Sequence, residues 1–151
     1  MEKSKKRGRY ERIYHQVSGL LTSTDDMIAR MATVAAILHH KMEGFFWTGF
    51  YLTREGNLIV GPYQGPLACQ VLPKDRGVCW AGINQGKTII VPDVDKFPGH
   101  IACDSRSRSE IVVPVRDNNG RIIGVLDIDS KQLGKFDEGD AAGLEKIAGL
   151  I

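Results

Sequence analysis

The sequence predicts an α/β domain of the α+β type, with helices at both ends of the chain around an antiparallel sheet. Apolar residues fall at helical spacing near either terminus, five aromatic or β-branched runs lie between them, and hairpin-type turns join two pairs of those runs. Tyr10, Ile13, Tyr14, Val17, Leu20 and Leu21 share one helical face and give a first helix. "STDD" at 23–26 offers a capping box, with the Ser23 hydroxyl accepting from the Asp26 amide and the Asp26 carboxylate reaching back. A second helix is therefore expected over about 27–42, stopped near Gly44. The runs "FFWTGFYL" (45–52), "NLIVGPY" (57–63), "TIIV" (88–91), "EIVVPV" (110–115) and "IIGVLDID" (122–129) read as strands. "REGN" and "DNNG" between them are hairpin turns, because Asn and Gly tolerate positive φ. Asp137 in "FDEGD" caps a helix from about 138 to the end, which buries Leu144, Ile147, Ala148 and Ile151. The segment 64–109 reads as one short strand and much loop, and long ordered loops tend to carry function.

Composition limits what such a domain does. With 151 residues, 42% hydrophobic and 25% charged, the chain matches one soluble domain with a single core. It has no apolar run of about 18 residues and no signal-peptide core, so neither a membrane span nor export is expected, and the expected location is cytoplasmic. The formal charge of +2 comes from the start of the chain, where Lys3, Lys5, Lys6, Arg7 and Arg9 face Glu2 alone. Residues 1–9 therefore read as a basic, solvated, disordered tail ahead of a single domain over 10–151. No basic face is sustained on that domain, so nucleic acid is not an expected partner. Three cysteines are too few for a disulfide scaffold and odd in number, so in a reducing compartment they are expected as thiols at rest.

Several residues invite chemistry. Alternation places Trp47, Gly49 and Tyr51 with Phe45 on one side of a strand, either as ordinary sheet packing or as a pocket wall in which Gly49 makes room for a ligand. In "IIGVLDID" it places Ile123, Val125, Asp127 and Asp129 on one face. The two carboxylates read either as a solvated strand end or, with Glu110 of the neighbouring run, as a three-acid cluster whose members raise one another's pKa. His100, Cys103, Cys69 and Cys79 are four potential zinc ligands, yet no C-x-x-C pair occurs and no metal is expected. His39 and His40 suit a helix C-terminus. A Cys103–His100 dyad is conceivable, but the spacing guarantees no geometry, and His100 reads as a loop-shaping residue. Thiol chemistry remains. Cys79, among Val78, Trp80 and Ala81, fits a buried small hydrophobe, whereas Cys103 in "ACDSRSRSE" does not, and Arg106 or Arg108 could stabilise its thiolate. Cys69 lies between these cases.

The order "WTGFYL", "GPYQGPLACQ", "RGVCWAG", "VPDVDKFPGHIACDSRSRSEIVVPV", "IGVLDID" and "FDEGD" closely resembles the free methionine-(R)-sulfoxide reductases, stand-alone proteins of the GAF fold. The likeness runs from about residue 45 to the end, and the cysteines lie ten and then twenty-four residues apart, as in that family. The resemblance implies a GAF-like central antiparallel sheet of about six strands, with N- and C-terminal helices packed on one side, and a homodimer. It implies that Cys103 attacks the sulfoxide sulfur of free methionine-R-sulfoxide, that Cys69 resolves the resulting sulfenic acid to a disulfide, and that thioredoxin reduces this disulfide. Cys79 is auxiliary. Glu110, Asp127 and Asp129 would hold the substrate ammonium and sulfoxide, with Glu110 among the catalytic groups, and Trp47 and Tyr51 would wall the methyl-sulfur group. No metal or organic cofactor is implied, since both electrons come from thiols. The chain departs mildly in "VCWAGI", where many members have a smaller residue after the cysteine. The alternative is a non-catalytic GAF regulatory module that binds a small ligand and signals through dimerisation.

Overall fold

The computed structural model describes residues 2–151. Helices α1 (Lys3–Leu20) and α2 (Met27–Lys41) precede strands β1 (Trp47–Arg54) and β2 (Asn57–Gln64), a short β3 (Val71–Leu72), helix α3 (Gly77–Gln85) and β4 (Ile89–Val91). Strands β5 (Ser109–Arg116) and β6 (Ile122–Ser130) and helix α4 (Glu138–Ala148) complete the chain. All six strands form one antiparallel sheet in the order β3-β2-β1-β6-β5-β4. Both expected hairpins form. Between β1 and β2 the turn takes Glu55 and Gly56 to φ 51° and 81°, the paired positive angles of a type I′ turn. Among the described residues no helix is long and apolar enough to cross a membrane.

The sheet buries both faces. Helices α1, α2 and α4 pack on one side over Phe50, Leu52, Ile111, Val113, Leu126 and Ile128, as the alternation in β1, β5 and β6 requires. On the other side α3 covers Val112 and Val125, and a second apolar cluster gathers Trp47, Tyr51, Cys79 and Trp80 there. The division into two cores puts polar strand residues of the second face under a lid of helix and loop, away from bulk water.

Several expectations change. Residues 3–9 are the first turns of α1, and no disordered tail exists there. Lys6 is buried: its Nζ donates to Asp140 Oδ2 at 2.8 Å and lies 3.3 Å from Asp137 Oδ2, while Tyr10 Oη donates to Asp140 Oδ1 at 2.6 Å. Charge counting missed this because the acids that anchor Lys6 lie at the other end of the chain. The N-cap of α2 is Asp26 itself, accepting from the Ala29 amide at 2.9 Å, and Ser23 ends a short 3-10 turn, so the expected Ser23–Asp26 box does not form. Strand β1 begins at Trp47, and Phe45 packs instead against Phe136 in the core under the helices. An irregular register near the start of β6 turns Ile123 toward that same core, away from Val125 and the two acids. The largest miss is α3, together with β3 and a 3-10 turn at Val94–Lys96, in the segment expected to be mostly loop. "GVCWAGINQ" has no polar stripe to mark a helix, because its surroundings bury Val78, Cys79, Trp80 and Gly82 alike.

At the C-terminus Asp137 caps α4 as expected, accepting from the Gly139 and Asp140 amides while Asp140 returns a bond to the Asp137 amide. Asp140 thus serves both the cap and the buried pair with Lys6. Replacing it with alanine removes the closer of the two carboxylates paired with buried Lys6, the acceptor of Tyr10 Oη and half of the capping box, and is expected to destabilise the fold by about 2 kcal/mol or more. Denaturant unfolding of Asp140→Ala checks this; a change below about 1 kcal/mol would show that Lys6 simply turns out to water.

Candidate active site

Strand register assembles the polar residues of the second face. Across β6, Asp129 pairs with Trp47 of β1 on one side and with Glu110 of β5 on the other, and Asp127 pairs with Gly49 and Val112. The three carboxylates therefore sit side by side on the central strands, under α3 and the loop that carries Cys103. A cavity is bounded by Trp47, Tyr51, Cys79, Cys103 and this acid cluster. Cys103 enters it from the segment that leads into β5, and Cys69 stands just outside it on the loop after β2.

The two thiols are joined. Cys69 and Cys103 form a disulfide, with Cα atoms 5.5 Å apart across 34 residues of chain. Tyr51 Oη donates to the Cys69 carbonyl at 2.9 Å, which ties the loop bearing Cys69 to the sheet floor. Cys103 is exposed and Cys69 half-buried, whereas Cys79, the third residue of α3, is buried and unbridged. Burial pushes the Cys79 thiol well above its ordinary pKa, and Asp127, Glu110 and Asp129 add to the effect, so it stays protonated at neutral pH.

The acids behave as one strained group. Burial, then the charge of Asp129, pushes Glu110 up to about 8. Burial and Glu110 push Asp127 well above the carboxylate range, and burial followed by Asp127 and Asp104 does the same to Asp129. Three carboxylates this close cannot all ionise, so at neutral pH the floor holds protons it can give up. His100 Nε2 lies 3.5 Å from Glu110 Oε1, and burial lowers its pKa, so the imidazole is neutral. Among the described residues two buried side-chain atoms stand without a hydrogen-bond partner, Trp47 Nε1 and Asp127 Oδ1. One is a donor and the other an acceptor, and both line the cavity.

The aromatic wall is a stack. Trp47 lies between Tyr51 and Tyr63, with ring centroids 5.8 Å and 5.2 Å away. Gly49 is needed for this stack: a Cβ there would collide with Tyr63 and with the indole of Trp47. The glycine makes room for the indole rather than for a ligand, which corrects one of the two readings offered above.

Comparison with known proteins accords with this geometry. Residues 23–151 match the family model for the GAF domain. The chain is 49% identical over 152 residues to GAF domain-containing protein A of Dictyostelium discoideum, covering 100% of this chain and 95% of that protein. It is 39% identical to the free methionine-R-sulfoxide reductase of Saccharomyces cerevisiae, covering 93% of this chain and 82% of the relative. The solved free methionine-R-sulfoxide reductase of Neisseria meningitidis, in complex with its substrate, superposes with a TM-score of 0.88 at 45% identity, covering 93% of this chain and 84% of that one. The chain belongs to the free methionine-R-sulfoxide reductase family of GAF domains.

Within this reductase-family framework the structure brings Cys69, Cys103, Cys79, Glu110, Asp127, Asp129, Trp47 and Tyr51 to one cavity region. It does not give Arg106 to Cys103. The Arg106 guanidinium donates to both Asp104 oxygens, at 3.0 Å and 2.8 Å, and lies over the Phe46 ring, so its charge is already paired. The same bonds hold Asp104 down at about 2. Two residues were underrated by sequence reasoning. His100 is a neighbour of Glu110 rather than a mere loop former, and the only signal for it was its place three residues before Cys103. Tyr63, the outer leaf of the stack, carried no signal beyond strand alternation, since a register shift between Gly49 and Tyr51 sets where β2 places it.

Proposed function

We propose that the chain reduces free L-methionine (R)-S-oxide to L-methionine, and that the Cys69–Cys103 bridge at the edge of an acid-floored cavity is the oxidised end of its cycle. That bridge is the observation that carries the reading. In the reduced enzyme the Cys103 thiolate attacks the sulfoxide sulfur. A neutral carboxyl of the cluster, Glu110 in our reading, protonates the oxygen of the adduct; the hydroxyl passes from the methionine sulfur to Cys103 Sγ as the sulfur–sulfur bond breaks, so methionine leaves as the thioether and Cys103 is left as a sulfenic acid. The Cys69 thiol attacks that sulfur, water departs, and the bridge forms. Thioredoxin supplies the two electrons that reopen it, so the cycle needs no metal or organic cofactor.

The unpartnered atoms suit this substrate. Asp127 Oδ1 is an acceptor for an ammonium hydrogen, and Trp47 Nε1 is a donor for an oxygen. Asp129, with the rest of the cluster, supplies the opposite charge that burial of an ammonium requires. Trp47 and Tyr51 line the methyl-sulfur group, and Cys79 shapes the floor beside them. Peptide-bound methionine sulfoxide lacks the ammonium, so the acids select the free amino acid. We place the enzyme in the cytoplasm, where thioredoxin keeps the thiols reduced between turnovers, and assign it a homodimeric state.

Thioredoxin-coupled NADPH oxidation tests the reading directly. Free methionine-R-sulfoxide is expected to turn over at least about 100-fold faster, in kcat/KM, than the N-acetylated R-sulfoxide, which loses the charge-assisted contact of the ammonium, and the S epimer, which keeps its ammonium but presents the sulfur with the opposite configuration, is expected to be a poor substrate. Saturable binding of the free sulfoxide without turnover by the reduced protein would instead make the chain a ligand-binding GAF module.

A further inference from the structure

The cavity floor has a second chemical character. Cys79 Sγ, a Glu110 oxygen and an Asp127 oxygen all lie within 4.8 Å of one another, and all three residues are buried. His100 Nε2 stands 3.5 Å from Glu110 and brings an imidazole to the edge of this group, outside the set of three that lie within 4.8 Å of one another. Asp127 Oδ1 is more than nine-tenths buried and has no hydrogen-bond partner. Sulfur, imidazole and two carboxylates are the donor types that zinc accepts in a four-coordinate site. These donors come from α3, β5, β6 and the loop before β5, so no paired-ligand spacing marks them in the sequence. Three of the four sit on regular elements and hold their positions without an ion. Cys79 is in the first turn of α3, where the positive end of the helix dipole favours a thiolate ligand.

We propose that this floor is a binding site for a thiophilic divalent cation of the zinc class, held by Cys79 Sγ and one oxygen each from Glu110 and Asp127, with His100 Nε2 turning in from the edge as the fourth ligand, and that the cation and the sulfoxide substrate exclude each other. The ion has no part in the reduction. It takes the same Asp127 oxygen that the substrate ammonium needs and the same Glu110 that protonates the sulfoxide oxygen, so it acts as an inhibitor. The ligand set differs from the three cysteines and one histidine that a count of donors suggests, because Cys69 and Cys103 are committed to each other. The exclusion half of the proposal rests on the function proposed above; the binding half does not.

The oxidised protein separates the two halves, because its bridge leaves Cys79 as the one thiol. Anaerobic titration of the oxidised protein with Co²⁺ is expected to give a sulfur-to-cobalt charge-transfer band at one ion per chain, reversed by Zn²⁺. Cys79→Ser is expected to abolish the band, and Glu110→Gln to weaken Co²⁺ binding by more than about tenfold, the least that loss of even an outer partner causes. Circular dichroism of both variants establishes that they are folded, and if Cys79→Ser is not, Glu110→Gln decides. Absence of the band in wild type, or Co²⁺ affinity unchanged in the folded variants, overturns the site. In the second arm Zn²⁺ is expected to inhibit the reduced enzyme competitively with methionine-R-sulfoxide. Inhibition that substrate does not relieve would overturn the exclusion while leaving the site, and an enzyme without turnover would sink the proposed function while leaving the Co²⁺ result to stand or fall alone.

Discussion

Serine at position 103 is expected to abolish reduction of free methionine-R-sulfoxide, with a loss of about 10⁴-fold or more in kcat, the scale on which removal of a nucleophile acts. Serine at position 69 should behave differently. Its Cys103 still attacks, so one equivalent of methionine is released per chain, after which the sulfenic acid waits for an external thiol. The steady thioredoxin-coupled rate is then expected to fall on the order of 10²-fold, because a thiol held at the site has been replaced by one that must arrive by diffusion. The contrast follows from the geometry: Cys103 lines the cavity, whereas Cys69 meets it only through the bridge. Cys79→Ser should still yield the Cys69–Cys103 disulfide after treatment with substrate, since Cys79 is buried and outside the bridge. Quenched single-turnover assays and peptide mapping under non-reducing conditions read all three variants. Full turnover by Cys103→Ser would remove it from the nucleophile's role, and a substrate-induced bridge involving Cys79 would reassign the resolving step.

The parts of the fold and site that could be read from sequence are those governed by local rules. Strand alternation in "FFWTGFYL" correctly put Trp47 and Tyr51 on one face and Phe50 and Leu52 on the other, because the pleat fixes it once the strand exists. It failed at Phe45, which precedes the strand, and at Ile123, where irregular pairing breaks the period. The Asp137 cap was visible because a cap and its helix are neighbours in sequence; Lys6 was not, because its partners lie more than 130 residues away. Helix α3 escaped for a third reason. A helix clasped between the sheet and the covering loops is apolar through Ile83, with Asn84 and Gln85 exposed only in its last turn, so periodicity has little to report. The acid cluster illustrates the boundary between these cases. That Asp127 and Asp129 share a face follows from their spacing, but that Glu110 stands directly beside Asp129 is a matter of β5–β6 register, which no local pattern sets.

That register leads to the second large effect. Glu110→Gln is expected to lower kcat/KM by about 10²- to 10⁴-fold, the range in which a positioned general acid contributes, and also to change how stability depends on pH. In the folded wild type Glu110 holds its proton up to about 8, against 4.5 for the free carboxyl, because burial and Asp129 disfavour the charge. Folding therefore takes up a proton between those two values. The stabilisation from this group is fully present below about 4.5 and is lost as pH rises through about 8, by roughly 1 kcal/mol per pH unit over the window. Glutamine keeps the shape and carries no charge, so Glu110→Gln should gain thermal stability relative to wild type as pH is raised from 5 to about 8, while wild-type activity falls above about 8 as the donor is lost. Asp129→Asn is expected to follow the same pattern, because its raised pKa has the same leading cause and its side chain lines the same cavity. Its kcat/KM should fall more than its folding stability does. Melting temperature and kcat/KM measured across pH 5 to 9 distinguish this from a purely structural role, which would lower both together. A Glu110→Gln variant less stable than wild type at pH 8, or an alkaline limb of activity that persists unchanged in the variant, would mean that the proton on this floor belongs to another member of the cluster.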